Sequence, residues 1–510
     1  MSKNKQIIMN IIANVFAMIV STGINFFLTP FITKTVGVEA YGFVPLAGNF
    51  VSYVAIITTA FNSMGSRFIT VSLQKKDCKE ANEYFSTIFF MDLGLAVAVG
   101  TIFIFLLGFL TKLIQIPSEM TTDVLILFSL SFASVVFSLI MNVFATATFC
   151  KNRLDLKSII SIISTLVRSI VLFILFSFFP TKVYFIGIAN ISVNLIEGVS
   201  NYIIQKRIMS ELQIDKKNFN KDHIRTLLAS GIWNSVSQLS SILMTGLDLL
   251  IANIFLNPLD SGILSIAKIM PSLLYTGIAL IVNSFGPQFV IDYARGVNSI
   301  NLLETMNFSA KLISFFSIIP VAGFIGFGKD FFKLWVPDQN ANILFSLALL
   351  TMIGDAVSYP VKAFDNIFAA VNKLRWPAMA TLTCGLLNVV LMIPLLKYTN
   401  LGLYAVAGTS TLLLVVKDVF FKIPYIAQIV NVKPMYLLKY VLYYLLSALI
   451  IIGISVCVRN CIPVSSWFIL VVDATIVAIF GFLINYFLFL EKNERIVLKN
   501  KLRVKFGKKC

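Results

Sequence analysis

The sequence predicts an all-α integral membrane protein with about 14 transmembrane helices, built as two six-helix lobes related by a parallel repeat plus two C-terminal helices. Three observations support this class: an apolar composition, long apolar runs, and Lys and Arg concentrated in alternate loops. Of the 510 residues, 58% are hydrophobic and 13% are charged, with a mean hydropathy of +0.88. An average soluble protein has about a quarter charged residues. This composition excludes a disordered chain, and six Cys are too few for a secreted disulfide scaffold.

The membrane spans follow from the apolar runs. A hydrocarbon core of about 30 Å requires about 20 apolar residues of helix. A β-barrel would instead show short segments of strict alternation, which the sequence lacks. The predicted spans, in chain order, are 7–30, 43–64, 85–110, 122–147, 158–179, 184–204, 228–256, 263–290, 308–328, 341–370, 377–396, 403–427, 437–458 and 466–490.

The distribution of Lys and Arg predicts the orientation. When residues near span ends are counted with the adjoining loops, the side that holds both termini has 30 of the 41 cations and the other side has 7. Cytoplasmic loops carry the Lys and Arg excess, so both termini are predicted to be cytoplasmic. The net charge of +17 therefore sets topology, and nucleic-acid binding is not expected because no single domain carries the cations.

A long hydrophilic segment and a weak internal repeat predict the domain organisation. The sequence NSMGSRF (62–68) recurs as NSFGPQF (283–289), and Gly42 and Asn14 match Gly262 and Asn234 at an offset of 220. Two lobes with the same in–out topology are typical of parallel-repeat transporters. The predicted divisions are an N-terminal six-helix lobe (1–204), a cytoplasmic linker (205–227), a C-terminal six-helix lobe (228–427), two extra transmembrane helices (428–490) and a basic cytoplasmic tail (491–510).

The segment TKTVGVEAYGFVPL, from Thr33 to Leu46, resembles the first external loop of the multidrug/oligosaccharidyl-lipid/polysaccharide export superfamily. The layout of six, six and two spans is most similar to the polysaccharide (O-antigen type) flippases of that superfamily, and next to the lipid II flippases. The resemblance implies a multi-pass protein of the bacterial inner membrane that moves undecaprenyl-pyrophosphate-linked oligosaccharide by alternating access for surface polysaccharide biosynthesis. It also implies a monomer that works beside a polysaccharide polymerase and glycosyltransferases, with H⁺ or Na⁺ coupling and no other cofactor.

Ionisable residues inside spans are costly and are functional candidates. Lys268 and Asp248 lie on consecutive spans. With a helical rise of 1.5 Å per residue, both are predicted roughly 8–12 Å below the outer surface of the membrane. Together with Asn14, Asn25 and Asn234 they are the predicted lining of a substrate cavity. In the lipid II flippases, basic residues on spans 1, 2 and 8 meet the pyrophosphate. Only Lys268 matches that placement, since span 1 here has no cation.

Three other positions in the spans are interpreted separately. Arg168 and Glu197 lie at similar depths on spans 5 and 6 and are predicted to form a structural ion pair. Asp355, deep in span 10, is the candidate for binding a coupling ion, although a structural Asp is an equally open reading. Lys362 and Asp365 share a helical face with Asp355, and Pro360 is expected to kink the helix between them.

Some polar residues are given a structural interpretation. Lys417 and Asp418 are expected at the cytoplasmic interface, and His223 is expected to be solvated in the central loop. No phosphate-binding loop, zinc motif or nucleophile elbow is present, so no catalytic residue and no metal site are predicted. The alternatives are a drug/cation antiporter of the same superfamily and, more distantly, a polytopic glycosyltransferase or polymerase.

Overall fold

The computed structural model describes residues 3–286, 288–289, 292, 300–371, 373–489 and 495. All regular secondary structure in this part of the chain is helical. The described residues form two compact units that divide after Ser265. The division lies later than the predicted linker, and the predicted domain boundaries stay a prediction.

The first unit contains the helices that precede the division, and the second contains those that follow it. The first set is α1 (Lys3–Val36), α2 (Val38–Gln74), α3 (Cys78–Leu113), α4 (Thr121–Asn142), α5 (Thr146–Cys150), α6 (Leu154–Phe178), α7 (Phe185–Ile208), α8 (Lys221–Ser241), α9 (Asp248–Phe255) and α10 (Pro258–Ala267), the last of which crosses the division. The second set is α11 (Ile269–Ser284), α12 (Ile300–Trp335), α13 (Ala341–Lys362), α14 (Asp365–Ala370), α15 (Arg375–Tyr398), α16 (Leu403–Val416), α17 (Ile423–Ile429), α18 (Pro434–Cys461) and α19 (Trp467–Phe489).

Each predicted span coincides with a helix or with a helix that is interrupted. Within the described residues, eleven helices are long and apolar enough to cross a membrane, and a twelfth is formed by residues 232–255, which bend by 43°. The remaining two predicted spans are also helical: α7 is more polar, and α16 has only 14 residues before a π-helical turn (Lys417–Lys422) separates it from α17. Helix α7 packs against α4 and α6, and α16 packs against α13 and α15. Burial between neighbours explains how their polar groups are accommodated.

The two units repeat one pattern of helix neighbours. In the first unit the packed pairs include α2–α3, α2–α4, α3–α4, α4–α7 and α6–α7. When each helix is matched with the helix that holds the same place in the other repeat, the same pairs recur in the second unit. They are α11–α12, α11–α13, α12–α13, α13–α16 and α15–α16. This is the arrangement that the predicted parallel repeat requires.

Both repeats also interrupt the same span at the same place. Helix α4 ends at Asn142 and a 3₁₀ turn (Val143–Ala145) connects it to α5, whereas α13 ends at Lys362 and α14 begins at Asp365. Phe144 and Phe364 occupy the two interruptions 220 residues apart, and both are buried. The offset equals that of the Asn14–Asn234 and Gly42–Gly262 matches, so the interruption is a property of the repeat.

The central linker is docked onto α3. The side chain of Asn82 donates to the Glu211 carbonyl and accepts from Gln213 N, and Ser86 Oγ donates to the Gln213 carbonyl. Met209 and Leu212 are fully buried in the adjoining hydrophobic core. The linker is therefore part of the folded first unit.

His223, which the sequence suggested was solvated, is packed into this unit. Its ring stacks on Tyr84 with 3.8 Å between centroids, and its Nε2 lies 3.1 Å from Glu83 Oε2. The expectation was wrong because the docked linker covers the start of α8 and carries the imidazole against α3.

The two C-terminal helices, α18 and α19, pack against α12 along its length. Near one end, Tyr436 and Tyr440 hydroxyls donate to Asn307 Oδ1. Further along, Asn485 Nδ2 donates to the Phe315 carbonyl, and Arg459 Nε lies 2.6 Å from Asp330 Oδ2 at the far end. Interhelical polar contacts of this kind hold helices together where lipid supplies no hydrophobic driving force.

A repeated glycine pair marks the closest helix approach in the first unit. A Cβ on Gly42 would lie 2.8 Å from Gly262 Cα, and a Cβ on Gly262 would lie 2.3 Å from the Val38 carbonyl oxygen. Small residues permit such close approach of membrane helices. The two glycines are the repeat equivalents identified in the sequence, so α2 and α10 meet at matching positions.

We expect Gly262→Ala to lower the melting temperature of the purified protein, because the added methyl group must displace the α2 backbone, at a cost of about 1–3 kcal/mol for an overpacked contact. Gly48→Ala is the matched control in α2, since nothing lies within 4 Å of the position that its added methyl group would occupy. Thermal unfolding in detergent checks both. Equal behaviour of the two variants would contradict the assigned contact.

Candidate functional site

Five charged side chains meet in the second unit, and we call them the charged cluster: Lys362, Asp365, Lys417, Asp418 and Lys422. Lys422 Nζ lies 2.8 Å from Asp365 Oδ1 and 3.7 Å from Asp418 Oδ2. Lys417 Nζ lies 3.4 Å from Asp418 Oδ1, and Lys362 Nζ lies 3.9 Å from Asp365 Oδ2. The cluster links the interrupted span α13–α14 to the segment after α16.

Irregular backbone positions these charges. Lys417–Lys422 forms a π-helical turn between α16 and α17, and such turns are often found at functional sites. The Asp418 and Lys422 side chains are only 2% and 5% exposed. Asp418 is therefore buried within the protein, where ion pairs with Lys417 and Lys422 compensate its charge. Its predicted position near the cytoplasmic interface stays a prediction.

A cavity of about 300 Å³ opens beside the cluster. Its polar lining consists of Tyr275, Asn283, Tyr359, Lys362, Asp365 and Asn366. Lys362 Nζ lies 5.3 Å from the centre of the Tyr275 ring, a distance suited to a cation–π interaction. Amides, aromatic faces and paired charges can together bind a hydroxylated or charged polar ligand.

Asp355 lies two turns before the cluster on α13. It is half-buried, and no hydrogen bond or ion pair within the described residues engages its carboxylate directly. Lys362, Lys417 and Asp418 are nonetheless close enough to interact with it electrostatically. The three Lys and three Asp of the extended group, Asp355 included, carry no net charge. A proton or cation that binds at Asp355 would therefore change the charge balance of the whole group.

The predicted lining residues of the first unit lie on different helices. Asn14 Oδ1 accepts a hydrogen bond of 2.6 Å from Ser158 Oγ, which ties α1 to α6. Asn234 is half-buried in α8. Asp248 is buried at the start of α9, just after a π-helical turn (Ile242–Gly246), whose Gly246 carbonyl accepts from the Tyr53 hydroxyl. Lys268 lies between α10 and α11 in the second unit and is half-buried.

The predicted ion pair between Arg168 and Glu197 is not formed. Arg168 Nη1 donates to Asn25 Oδ1 at 2.7 Å, and Glu197 Oε1 accepts from Ser164 Oγ at 3.1 Å. The prediction rested on depth alone. Ser164 and Arg168 lie one turn apart on α6, and the long Arg168 side chain reaches Asn25 on α1, while Ser164 meets Glu197 on α7. Asn25 therefore orients a half-buried cation, and a search for carboxylates alone does not find this partner.

Lys422 was not among the residues predicted from the sequence. It was counted with a cytoplasmic loop, yet it provides the shortest ion pair of the cluster. The available signal was its spacing of four residues from Asp418, which places both groups on one helical face.

Comparisons with known proteins agree with the fold. No protein-family model matches the sequence. An uncharacterised membrane protein of Bacillus subtilis (strain 168), EpsK, is 27% identical over 500 residues, covering 97% of each chain.

Solved structures of two transporter types share the fold. The lipid II flippase MurJ in an inward closed conformation has a TM-score of 0.66 at 16% identity, covering 94% of this chain and 98% of its own. An inward-facing multidrug resistance transporter of the MATE family and MOP superfamily also has a TM-score of 0.66 at 16% identity, covering 81% of this chain and 94% of its own. The protein therefore has the fold of these membrane transporters.

We expect Lys422→Met to reduce the yield of folded protein severely, because it leaves two aspartates without their shared cation. Loss of one partner from a buried ion pair costs about 3–5 kcal/mol. The double variant Lys422→Met with Asp418→Asn should recover part of that yield. Fluorescence-detected gel filtration measures the folded fraction, and Lys433→Met, at an exposed position before α18, is the control. A double variant no better than the single one would contradict the pairing.

Proposed function

We propose that the protein is a flippase that moves undecaprenyl-pyrophosphate-linked oligosaccharide from the cytoplasmic to the outer leaflet of the bacterial inner membrane, for surface polysaccharide biosynthesis. The observation that carries this proposal is the fold, which agrees with that of a lipid II flippase over 94% of this chain. The resemblance to polysaccharide flippases supports the substrate class, and the polar cavity beside the charged cluster suits a hydroxylated cargo.

The proposed mechanism is alternating access, in which the two six-helix lobes rock about a central cavity. Lys268 would contact the pyrophosphate, and Asn14, Asn25 and Asn234 would offer hydrogen bonds to the sugar. Asn14 and Asn25 each hold a partner on α6, so they would exchange that bond for one to the substrate. The lipid tail would stay in the bilayer.

A gradient of H⁺ or Na⁺ would drive the cycle through Asp355. Its carboxylate is half-buried within a charge-balanced group, so binding of a cation there would weaken the attraction of the neighbouring lysines for Asp355. Such a change can bias a two-state helix arrangement if the ion binds the two states unequally.

Two alternative functions are those of other transporters in the same superfamily. A lipid II flippase is favoured by the match to MurJ, but span 1 carries Asn14 and Asn25 and no cation. A drug/cation antiporter is favoured by the match to the MATE transporter, which covers less of this chain, 81%. A polytopic glycosyltransferase or polymerase has less support, because the fold is that of transporters.

The remaining proposals concern location and partners. Both termini would be cytoplasmic, the protein would act as a monomer, and a polysaccharide polymerase and glycosyltransferases would work on the same lipid-linked substrate. No cofactor other than the coupling ion is proposed.

We expect deletion of the gene to cause accumulation of a lipid-linked oligosaccharide in the cytoplasmic leaflet. Metabolic labelling of the sugar, followed by extraction and a membrane-impermeant probe of leaflet location, measures this. Loss of drug efflux without any such accumulation would instead show that the protein is a drug/cation antiporter. Accumulation of lipid II would show that it is a lipid II flippase.

We expect Asp355→Asn to abolish gradient-driven flipping in proteoliposomes while leaving the amount of folded protein near wild type, because the neutral amide keeps the shape of the side chain. Asp338→Asn, which changes an exposed loop residue, is the matched control and should flip normally. Full gradient dependence in the Asp355→Asn variant would exclude Asp355 as the coupling residue.

A further inference from the structure

A second cavity lies in the first unit, where α4 is interrupted. It has a volume of about 190 Å³ and is bounded by the 3₁₀ turn, α2, α3, α5 and the first turn of α6. Its polar lining is Ser66, Asn142, Thr146, Thr148 and Lys157. The Lys and Arg distribution assigns this end of the spans to the cytoplasmic side.

The cavity presents hydrogen-bond donors. Ser66 Oγ donates to Thr146 Oγ1 at 3.3 Å, so the Thr146 oxygen accepts and its own proton is left to donate. Thr146 is only 7% exposed. Asn142 is exposed at the cavity, and no hydrogen bond engages its side-chain amide within the described residues. The Asn142 amide and the Thr146 hydroxyl can therefore both donate to an oxygen of a ligand in the cavity.

The charge around the cavity is positive. None of its lining residues is acidic. Lys157 makes no ion pair with any described residue, whereas the neighbouring cations are already compensated: Lys151 by Glu211 at 3.0 Å, and Arg153 by Asp155 at 3.0 Å. Leu154 and Lys157 also belong to the first turn of α6, a 25-residue helix whose N-terminal end carries a partial positive charge.

We propose that this cavity binds the phosphate group of a membrane lipid in the cytoplasmic leaflet. Lys157 supplies the charge, while Asn142 and Thr146 donate hydrogen bonds to the phosphate oxygens. The site is separate from the charged cluster and does not depend on which substrate the protein transports. Because Lys157 is cationic and no lining residue is acidic, the cavity favours an anion such as a phosphate over a cation or a neutral sugar.

The equivalent cavity in the second unit has a different distribution of charge. That cavity has a carboxylate, Asp365, beside Lys362, so its cation is already partnered. At the repeat offset of 220 residues, Asn142 is equivalent to Lys362, and Ala145 is equivalent to Asp365. The lysine of one cavity therefore has a carboxylate partner, whereas Lys157 in the other makes no ion pair within the described residues.

The test measures lipid binding to the purified full-length protein by native mass spectrometry. Phosphatidylglycerol is compared with a diacylglycerol of the same acyl chains, and inorganic phosphate is the free competitor. The variants are Lys157→Gln and Thr146→Val, with Lys206→Gln as the control for an exposed lysine of α7 outside the cavity. Melting temperatures identify any variant that fails to fold.

We expect phosphatidylglycerol to bind and diacylglycerol to bind at least tenfold more weakly. Lys157→Gln should weaken phosphatidylglycerol binding about tenfold, Thr146→Val about threefold, and Lys206→Gln less than twofold. Equal losses in Lys157→Gln and Lys206→Gln would overturn the site, because general charge attraction would then suffice. Lys157-dependent binding of inorganic phosphate without binding of phosphatidylglycerol would overturn the lipid as its source.

Discussion

The structure depends on one constraint: in hydrocarbon, every backbone N–H and C=O group needs a partner within the protein or in a water-filled cavity. An uninterrupted helix satisfies this requirement alone, but an interrupted one does not. The interruptions at Val143–Ala145 and at 363–364 each border a polar cavity. The π-helical turn at Ile242–Gly246 is satisfied in part by the Tyr53 hydroxyl. Both of the polar cavities described above thus lie where a helix is interrupted.

The sequence predicted the elements well because the membrane makes their signal strong. Long apolar runs and loop cations located the spans, and the offset of 220 residues between Gly42 and Gly262 indicated a repeat that the helix neighbours then showed. The interruptions at Phe144 and Phe364 are separated by the same offset, but the sequence did not predict them. An apolar run gives no local sign that its helix stops and restarts.

The candidate sites were harder to predict, because a site depends on helical phase and packing as well as on depth. Asp355 and Lys362 lie on α13 and Asp365 begins α14, whereas the partners Asp418 and Lys422 come from a π-helical turn that the sequence did not reveal. Arg168 was assigned to Glu197 by depth and is instead held by Asn25. His223 was misjudged because hydrophilic composition does not reveal that a linker will dock.

The docked linker has a mechanical consequence. A polar segment between two lobes suggests a flexible linker. Here, however, Met209 and Leu212 are buried, and hydrogen bonds from Asn82 and Ser86 fix the linker to α3. The start of α8 is held in the same way, since Asn220 N donates to Thr87 Oγ1 on α3. The longest hydrophilic segment of the chain is therefore a fixed part of the first unit, and the bend of 43° that follows it lies within a helix, at residues 232–255.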